Sequence, residues 1–291
     1  MEPKTASTGS ASRTGSGVTD RLEADVIRQG IDPSVQSYLG GLSVLSEVDS
    51  TNTELMRRAA EQQHAHAVIA DRQLAGRGRR ERKWHSPAGG NLYFSLGWRF
   101  ESPGFSLSSL PLVAALAVAE ALTETGLDGH GVKWPNDILV DGRKTCGILA
   151  EMKWTGNEAL AVIGIGINVR MPRTQDEDPD VVIDRPWTDL ESNLDEAHRP
   201  CDRNALASGL LERLLTLMPS FEKRGFEPFR EEWKKWDLLQ NGPVTLETDD
   251  GQITGVSAGV NEQGELLLEH DGGVSAFSAG EVRVFRGVKA F

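Results

Sequence analysis

A chain of 291 residues, 38% of them hydrophobic, is long enough for one sizeable core and a small satellite domain. Its formal net charge of −12 argues against bulk nucleic-acid binding, which needs clustered Lys and Arg to release counterions, and leaves open only a local basic loop. Cys146 and Cys201, the only two cysteines, make neither a disulfide framework nor a C-x-x-C spacing, which points to a reducing, cytoplasmic setting.

Residues 1–20, largely Ser, Thr, Gly and Ala, lack the apolar core of a secretory signal and read as a disordered tail. Leu22 to Leu39 holds room for a short helix, but Gly30, Pro33 and the pair Gly40-Gly41 leave none for a three-helix DNA-binding module, so no DNA partner is expected. From Leu42 the pattern is α/β: an apolar run LSVLSEV, a cap-like Asp49-Ser50-Thr51-Asn52 opening a helix through Ala60, and a strand at Ala67 to Ala70. Asn91 to Phe100 alternates Leu92, Phe94, Leu96 and Trp98 on one face, as a half-buried strand does. Leu107 to Gly126 follows as a buried helix; its apolar run, Leu110 to Leu122, falls short of the ~20 residues that span a bilayer, so no membrane partner is expected.

Asp137 to Met152 predicts a hairpin turning at Asp141-Gly142, with a third strand from Leu160 to Val169 beside it. Met171 to Pro186, rich in Asp, Glu and Pro, predicts a mobile loop, a candidate lid; Arg203 to Glu222 predicts an amphipathic helix. Beyond Gly242-Pro243, five short runs separated by turn clusters predict a small β-barrel. The boundaries are therefore 1–20 for the tail, 21–240 for the main domain and 241–291 for the barrel.

Three constellations carry possible chemistry. In Gln73-Leu-Ala-Gly76-Arg-Gly78-Arg-Arg-Glu-Arg82 the glycines let backbone amides approach a ligand, while Arg77, Arg79, Arg80 and Arg82 present cationic forks suited to phosphate; a merely solvated basic loop has the same composition. Trp84 follows closely, either as a platform for a base or as packing. In Val132-Lys133-Trp134-Pro135-Asn136-Asp137 a lysine precedes a proline-fixed turn, either as a fixed point charge or as a surface lysine beside Asx turn residues. Gly164-Ile-Gly166-Ile-Asn168 ends an apolar strand and lacks the third glycine of a dinucleotide fingerprint. No phosphate-loop motif or H-E-x-x-H occurs, and His64-Ala-His66 has no carboxylate or cysteine set to complete a metal site, so no protein-held metal is expected.

In this order, Asp49-Ser-Thr-Asn52, GRGRRERKWHSPAGGNLYFS, KWPNDI, Cys146-Gly147-Ile-Leu and GIGINV closely resemble the signature blocks of bacterial biotin protein ligases, over residues ~45 to 291. The resemblance implies an α+β fold: a biotin/lipoate ligase-like catalytic domain with a mixed sheet and flanking helices, plus a C-terminal SH3-like β-barrel. It implies ATP-dependent attachment of biotin to a lysine of a biotin carboxyl carrier protein through biotinyl-5′-AMP, with Mg2+ accompanying ATP and a homodimer possible. By the same resemblance Ser50, Thr51, Asn52, Gln73, Gly76, Arg77, Gly78, Arg79, Lys133, Gly147, Gly164 and Gly166 contact biotin. Arg77, Arg79, Arg82, Trp84, Lys133, Asn136 and Asn168 contact ATP, with Lys133 and Arg79 catalytic. The chain departs from the family pattern at Glu81, commonly glycine, and at Cys146, commonly a smaller residue. The absence of a DNA-binding module implies a ligase without repressor function, and the lipoate-type string RR-x-x-GGG-x-V is not present.

Overall fold

A computed structural model describes residues 21–172 and 186–284. The tail expected at 1–20, and all of the expected lid except Met171, Pro172 and Pro186, lie outside the described residues. Two helices, α1 (Ala24–Gln29) and α2 (Pro33–Gln36), open the described chain. Strand β1 (Gly41–Leu45) then leads through α3 (Thr51–Arg57) into β2 (His66–Ala70), a parallel neighbour reached by a helical crossover.

The alternation read at 91–100 becomes β3 (Leu92–Phe100), antiparallel to β2. After α4 (Leu110–Glu124), strands β4 (His130–Lys133), β5 (Asp137–Val140), β6 (Arg143–Thr155) and β7 (Glu158–Ile167) run as a meander, and β7 returns to pair with β3. The seven strands stand in the order β1-β2-β3-β7-β6-β5-β4, a mixed sheet with one parallel pair. Asp141 and Gly142 have φ of 49° and 72°, the pair of positive values that the expected two-residue turn needs.

One face of this sheet is dry. Phe94 and Leu96 of β3, Cys146 and Ile148 of β6, and Ile163, Ile165 and Ile167 of β7 point into a core shared with α4 and α5 (Arg203–Arg224). Pro111 sits in the first turn of α4, where its missing N–H costs nothing, so it opens the helix rather than interrupting it. The helical stretch Leu107–Glu124 is 18 residues, close to a bilayer span; 72% of it is buried in the protein, and burial, not shortness, makes it a core helix. Asp202 caps α5 by accepting from the backbone N–H groups of Asn204 and Ala205, and Gly225 ends the helix at a φ of 64°.

Helix α6 (Arg230–Trp236) leads to the five expected C-terminal strands: β8 (Pro243–Thr248), β9 (Gly251–Val260), β10 (Leu266–His270), β11 (Gly273–Phe277) and β12 (Glu281–Val284). They form one antiparallel sheet in the order β11-β10-β9-β8-β12, with β11 and β12 at its edges. Val244, Leu246, Val260, Leu266, Leu268 and Val282 belong to the same continuous core as α4, so this sheet is packed onto the larger one.

Candidate active site

The other face of the large sheet carries the site, because a period of two sends every second residue there. On β7 these are Gly164 and Gly166; on β6, Gly147, Leu149 and Glu151; on β3, Ser95. The register lines them up in rows: Gly147 faces Gly166, while Leu149 and Ser95 flank Gly164. Glycine is required here for close approach. A Cβ at Gly164 would stand 2.4 Å from Asn52 Oδ1, and one at Gly166 2.5 Å from Trp84 Nε1.

The N-terminal turn of α3 lies over this floor. Thr51 donates its N–H to Gln73 Oε1 at 2.9 Å, and Gln73 Nε2 donates to Ser86 Oγ at 3.1 Å. Ser95 Oγ lies 2.7 Å from Thr51 Oγ1 and 2.6 Å from Asn52 Oδ1; Asn52 Nδ2 donates to Glu151 Oε2 at 2.7 Å. Ser50, Thr51, Asn52 and Ser95 are all buried, and the hydroxyl of Ser50 is not spent on capping the helix. The result is a buried, uncharged hydrogen-bonding pocket with one carboxylate at its edge.

Beside it the Gly76–Trp84 segment folds as a tight hairpin, with Gly78 donating to Arg82 O at 2.7 Å and Trp84 donating to Gly76 O at 2.9 Å. Gly76 is buried under Trp84 and Ser86, where a Cβ would meet both at 2.7 Å. Arg80 and Glu81 form the tip with φ of 54° and 60°. Arg77 donates to both Glu151 oxygens at 2.8 Å; Arg79 donates to Asn136 Oδ1 at 3.0 Å and Gly280 O at 2.9 Å; Arg82 pairs with Glu281 at 2.8 Å. Arg77 is thus engaged by a strand carboxylate, whereas Arg79 and Arg82 are held by the small domain.

Two lysines share the carboxylate of Asp137. Lys133 ends β4 with its ammonium 3.8 Å from Asp137 Oδ2 and donates to Val282 O at 3.3 Å. Lys144 lies 2.6 Å from Asp137 Oδ1 and 5.1 Å from the ring centre of Trp84. Asn136 does more than satisfy its own turn, because its Nδ2 donates to Ile148 O on β6 at 2.8 Å. Asn168, at the end of β7, donates to Thr188 O at 3.1 Å and so ties the strand to the Pro186–Leu190 segment.

All the residues expected to contact biotin or ATP line one cavity of about 1150 Å3. Among the described residues nine cations line it, at Arg57, Arg72, Arg77, Arg79, Arg80, Arg82, Lys83, Lys133 and Lys144, against four carboxylates, Asp49, Glu81, Asp137 and Glu281. In a chain of net charge −12 this positive concavity is suited to a polyanion. Cys146 points away from it into the core, where burial raises its thiol pKa and keeps it neutral, so the departure at Cys146 is a matter of packing.

Sequence reasoning passed over Glu151, Ser95, Lys144 and Glu281. Glu151 and Ser95 had a legible signal, since each shares the parity of a glycine or a polar residue on a strand whose other parity is apolar. Lys144 had only its place three residues before Gly147, and Glu281 had none.

Residues 44–168 match the model of the biotin/lipoate A/B protein ligase family, and residues 241–284 match that of the biotin protein ligase C terminal domain. The chain is 41% identical over 262 residues to the bifunctional ligase/repressor BirA of Salmonella typhimurium, covering 90% of this chain and 78% of that protein. It is 33% identical over 254 residues to the biotin--[acetyl-CoA-carboxylase] ligase of Mycobacterium tuberculosis, covering 83% and 88%. The biotin protein ligase of Aquifex aeolicus, solved in complex with biotin and ATP, has a TM-score of 0.69 at 32% identity, over 85% of this chain and 99% of that one.

Proposed function

The chain belongs to the biotin/lipoate A/B protein ligase family, and from that premise we propose that it is a biotin protein ligase which biotinylates an acceptor protein at the expense of ATP. The observation that carries this reading is the division of one cavity into a buried neutral pocket around Ser50, Thr51 and Asn52 and a cationic end around Lys133 and the arginine hairpin. A cyclic urea on an apolar bicycle needs the first, because its polar edge is buried and must be hydrogen-bonded. A carboxylate and a triphosphate need the second.

The reaction that the resemblance implies fits that geometry. A biotin carboxylate oxygen attacks the α-phosphorus of ATP, the bond to pyrophosphate breaks, and biotinyl-5′-AMP forms. The neutral amine of a carrier lysine then attacks the acyl carbon, an amide forms, AMP leaves, and the amine proton passes to solvent. Lys133 opposes the mutual repulsion of two anions and stabilises the charge that builds on the α-phosphate. Arg79 and Arg82 contribute further positive charge, and their hairpin shields the hydrolysable intermediate from water. Trp84 offers adenine a π-face.

Among the described residues no group of three or more His, Cys, Asp or Glu side chains is placed to hold a metal ion. We take magnesium to enter with ATP, bound chiefly by phosphate oxygens and water. The acceptor is the lysine of a biotin carboxyl carrier domain. Helices α1 and α2, six and four residues long, pack on α5.

Incubation with biotin, MgATP and a carrier domain should add one biotinyl group to one carrier lysine, read by mass spectrometry. Lys133→Ala should lower the rate by at least about a hundredfold, the usual cost of removing a group that stabilises transition-state charge. Activity at the unsubstituted level in that variant would remove Lys133 from the mechanism.

A further inference from the structure

We infer that Glu151 is a positioning residue that sets the direction of the hydrogen bonds in the neutral pocket, and through them its selectivity for a cyclic urea over an apolar ring. The inference rests on the biotin-ligase reading and goes beyond it, because Glu151 belongs to none of the motifs that identify the site.

An asparagine amide presents a donor on one side and an acceptor on the other, and the two are nearly isosteric, so something must decide which faces which. Around Asn52 the neighbours are Ser95 Oγ at 2.6 Å on one side and, on the other, Glu151 Oε2 at 2.7 Å with the Leu149 carbonyl farther off at 3.4 Å. A hydroxyl accepts either orientation. A carboxylate paired with a guanidinium, as Glu151 is with Arg77 at 2.8 Å, offers acceptors only. Asn52 Nδ2 must therefore point to Glu151 and Oδ1 to Ser95.

The remaining protons then fall into place. Ser95 has one hydroxyl proton and donates it to Asn52 Oδ1. Thr51 Oγ1, 2.7 Å from Ser95 Oγ, donates to Gln73 Oε1 at 3.1 Å, the oxygen that also accepts the Thr51 N–H at 2.9 Å. The part fixed from Glu151 runs in one direction, Ser95 to Asn52 to Glu151. It leaves acceptor lone pairs of Thr51 Oγ1 and Asn52 Oδ1 as the polar groups over Gly164, where a Cβ would lie 2.4 Å from Asn52 Oδ1. Acceptors at that place match the N–H groups of a urea and leave an apolar ring without compensation for the burial. With an amide at 151 the anchor can present either end, and only the long contact to Leu149 O at 3.4 Å still favours this orientation of Asn52.

Glu151 also reaches the arginine hairpin through Arg77, so its two arms must be separated. The test is biotin-dependent exchange of labelled pyrophosphate into ATP, together with calorimetric binding of biotin without ATP. Glu151→Gln should raise the KM and Kd for biotin about tenfold or more, with the KM for ATP changed less than about twofold. It should also narrow the preference for biotin over lipoate. Arg77→Met, which cuts the other arm and removes a cation from the cavity, should raise the KM for ATP about as much as that for biotin, unlike Glu151→Gln. Asn52→Asp alone should abolish measurable biotin binding by setting two carboxylates together. Asn52→Asp combined with Glu151→Gln restores a donor facing an acceptor and should recover binding by about tenfold over the single Asp variant. A folded Glu151→Gln protein with unchanged biotin Kd, a profile identical to that of Arg77→Met, or no recovery in the double variant would each overturn the inference. Unsubstituted protein that fails to exchange pyrophosphate with biotin would instead overturn the ligase reading.

Discussion

Arg80 and Glu81 take left-handed φ values of 54° and 60°, and only one of them departs from the pattern that the resemblance led us to expect. A non-glycine residue in that region costs about 1–2 kcal/mol, because Cβ crowds the following carbonyl. Glycine at 81 would release that strain in the closed hairpin but would gain unfolded-loop entropy worth about 0.5–1 kcal/mol, so the net gain is about 0.5–1 kcal/mol. Glu81→Gly should therefore populate the closed hairpin more and reduce escape of the activated intermediate about twofold to fivefold. The readout is labelling of a bystander protein's lysines relative to the carrier. Equal or greater bystander labelling would show that Glu81 adds a contact that offsets its strain.

At the scale of elements, the sheet supplies two neighbouring but separable platforms. Gly164 lies under Asn52 and Gly166 under Trp84, so added methyl groups should strike different halves of the reaction. Gly164→Ala should raise the KM for biotin about tenfold or more, and Gly166→Ala should do the same for ATP, each with a smaller effect on the other substrate. Equal effects on both substrates would mean that the strands shift as a unit rather than yielding locally. Much of this face was legible beforehand, because the alternation of Leu92, Phe94, Leu96 and Trp98 already says that Ser95 points the other way, and the glycines of GIGIN mark a strand on which something lies close. What was not legible is which partner each arginine takes. A fork reaches over several ångströms, and Arg77 chose a carboxylate on β6 whose strand neighbour across the sheet could not be read from spacing alone. The hairpin at Asp141-Gly142 was readable from two residues; β4 was not, since four residues with one exposed edge carry too little pattern.

At the scale of the whole molecule, the C-terminal sheet is part of the site. Gly280 O holds Arg79, Glu281 holds Arg82, Val282 O accepts from Lys133, and Gly264 O accepts from the buried indole of Trp134 at 3.1 Å, contacts that link residues more than a hundred positions apart. The joint between the two sheets passes through Asp237, whose following residue Leu238 donates to Val132 O on β4 and whose own Oδ1 accepts from Leu239 N. Asp237 Oδ2 is buried with no hydrogen-bond partner among the described residues, and desolvation pushes its carboxyl up to about 6 from the ordinary 3.8, against smaller opposing contributions from the Leu239 N–H and the Trp233 indole. Because the folded state holds this proton more tightly than the unfolded chain does, the contribution of Asp237 to stability is fully present below about pH 4 and is lost as pH rises through about 6. Its side chain keeps some solvent contact, so the loss is about 1–2 kcal/mol rather than the full equivalent of the shift. Asp237→Asn keeps an acceptor for Leu239 and carries no charge. It should be more stable than the unsubstituted protein by about that amount at pH 8 and by only about a third of it at pH 4.5, in denaturant melts at both pH values. A stability difference that does not change between them would mean that Asp237 ionises within the joint at no cost, and that water reaches the seam between catalytic sheet and C-terminal sheet.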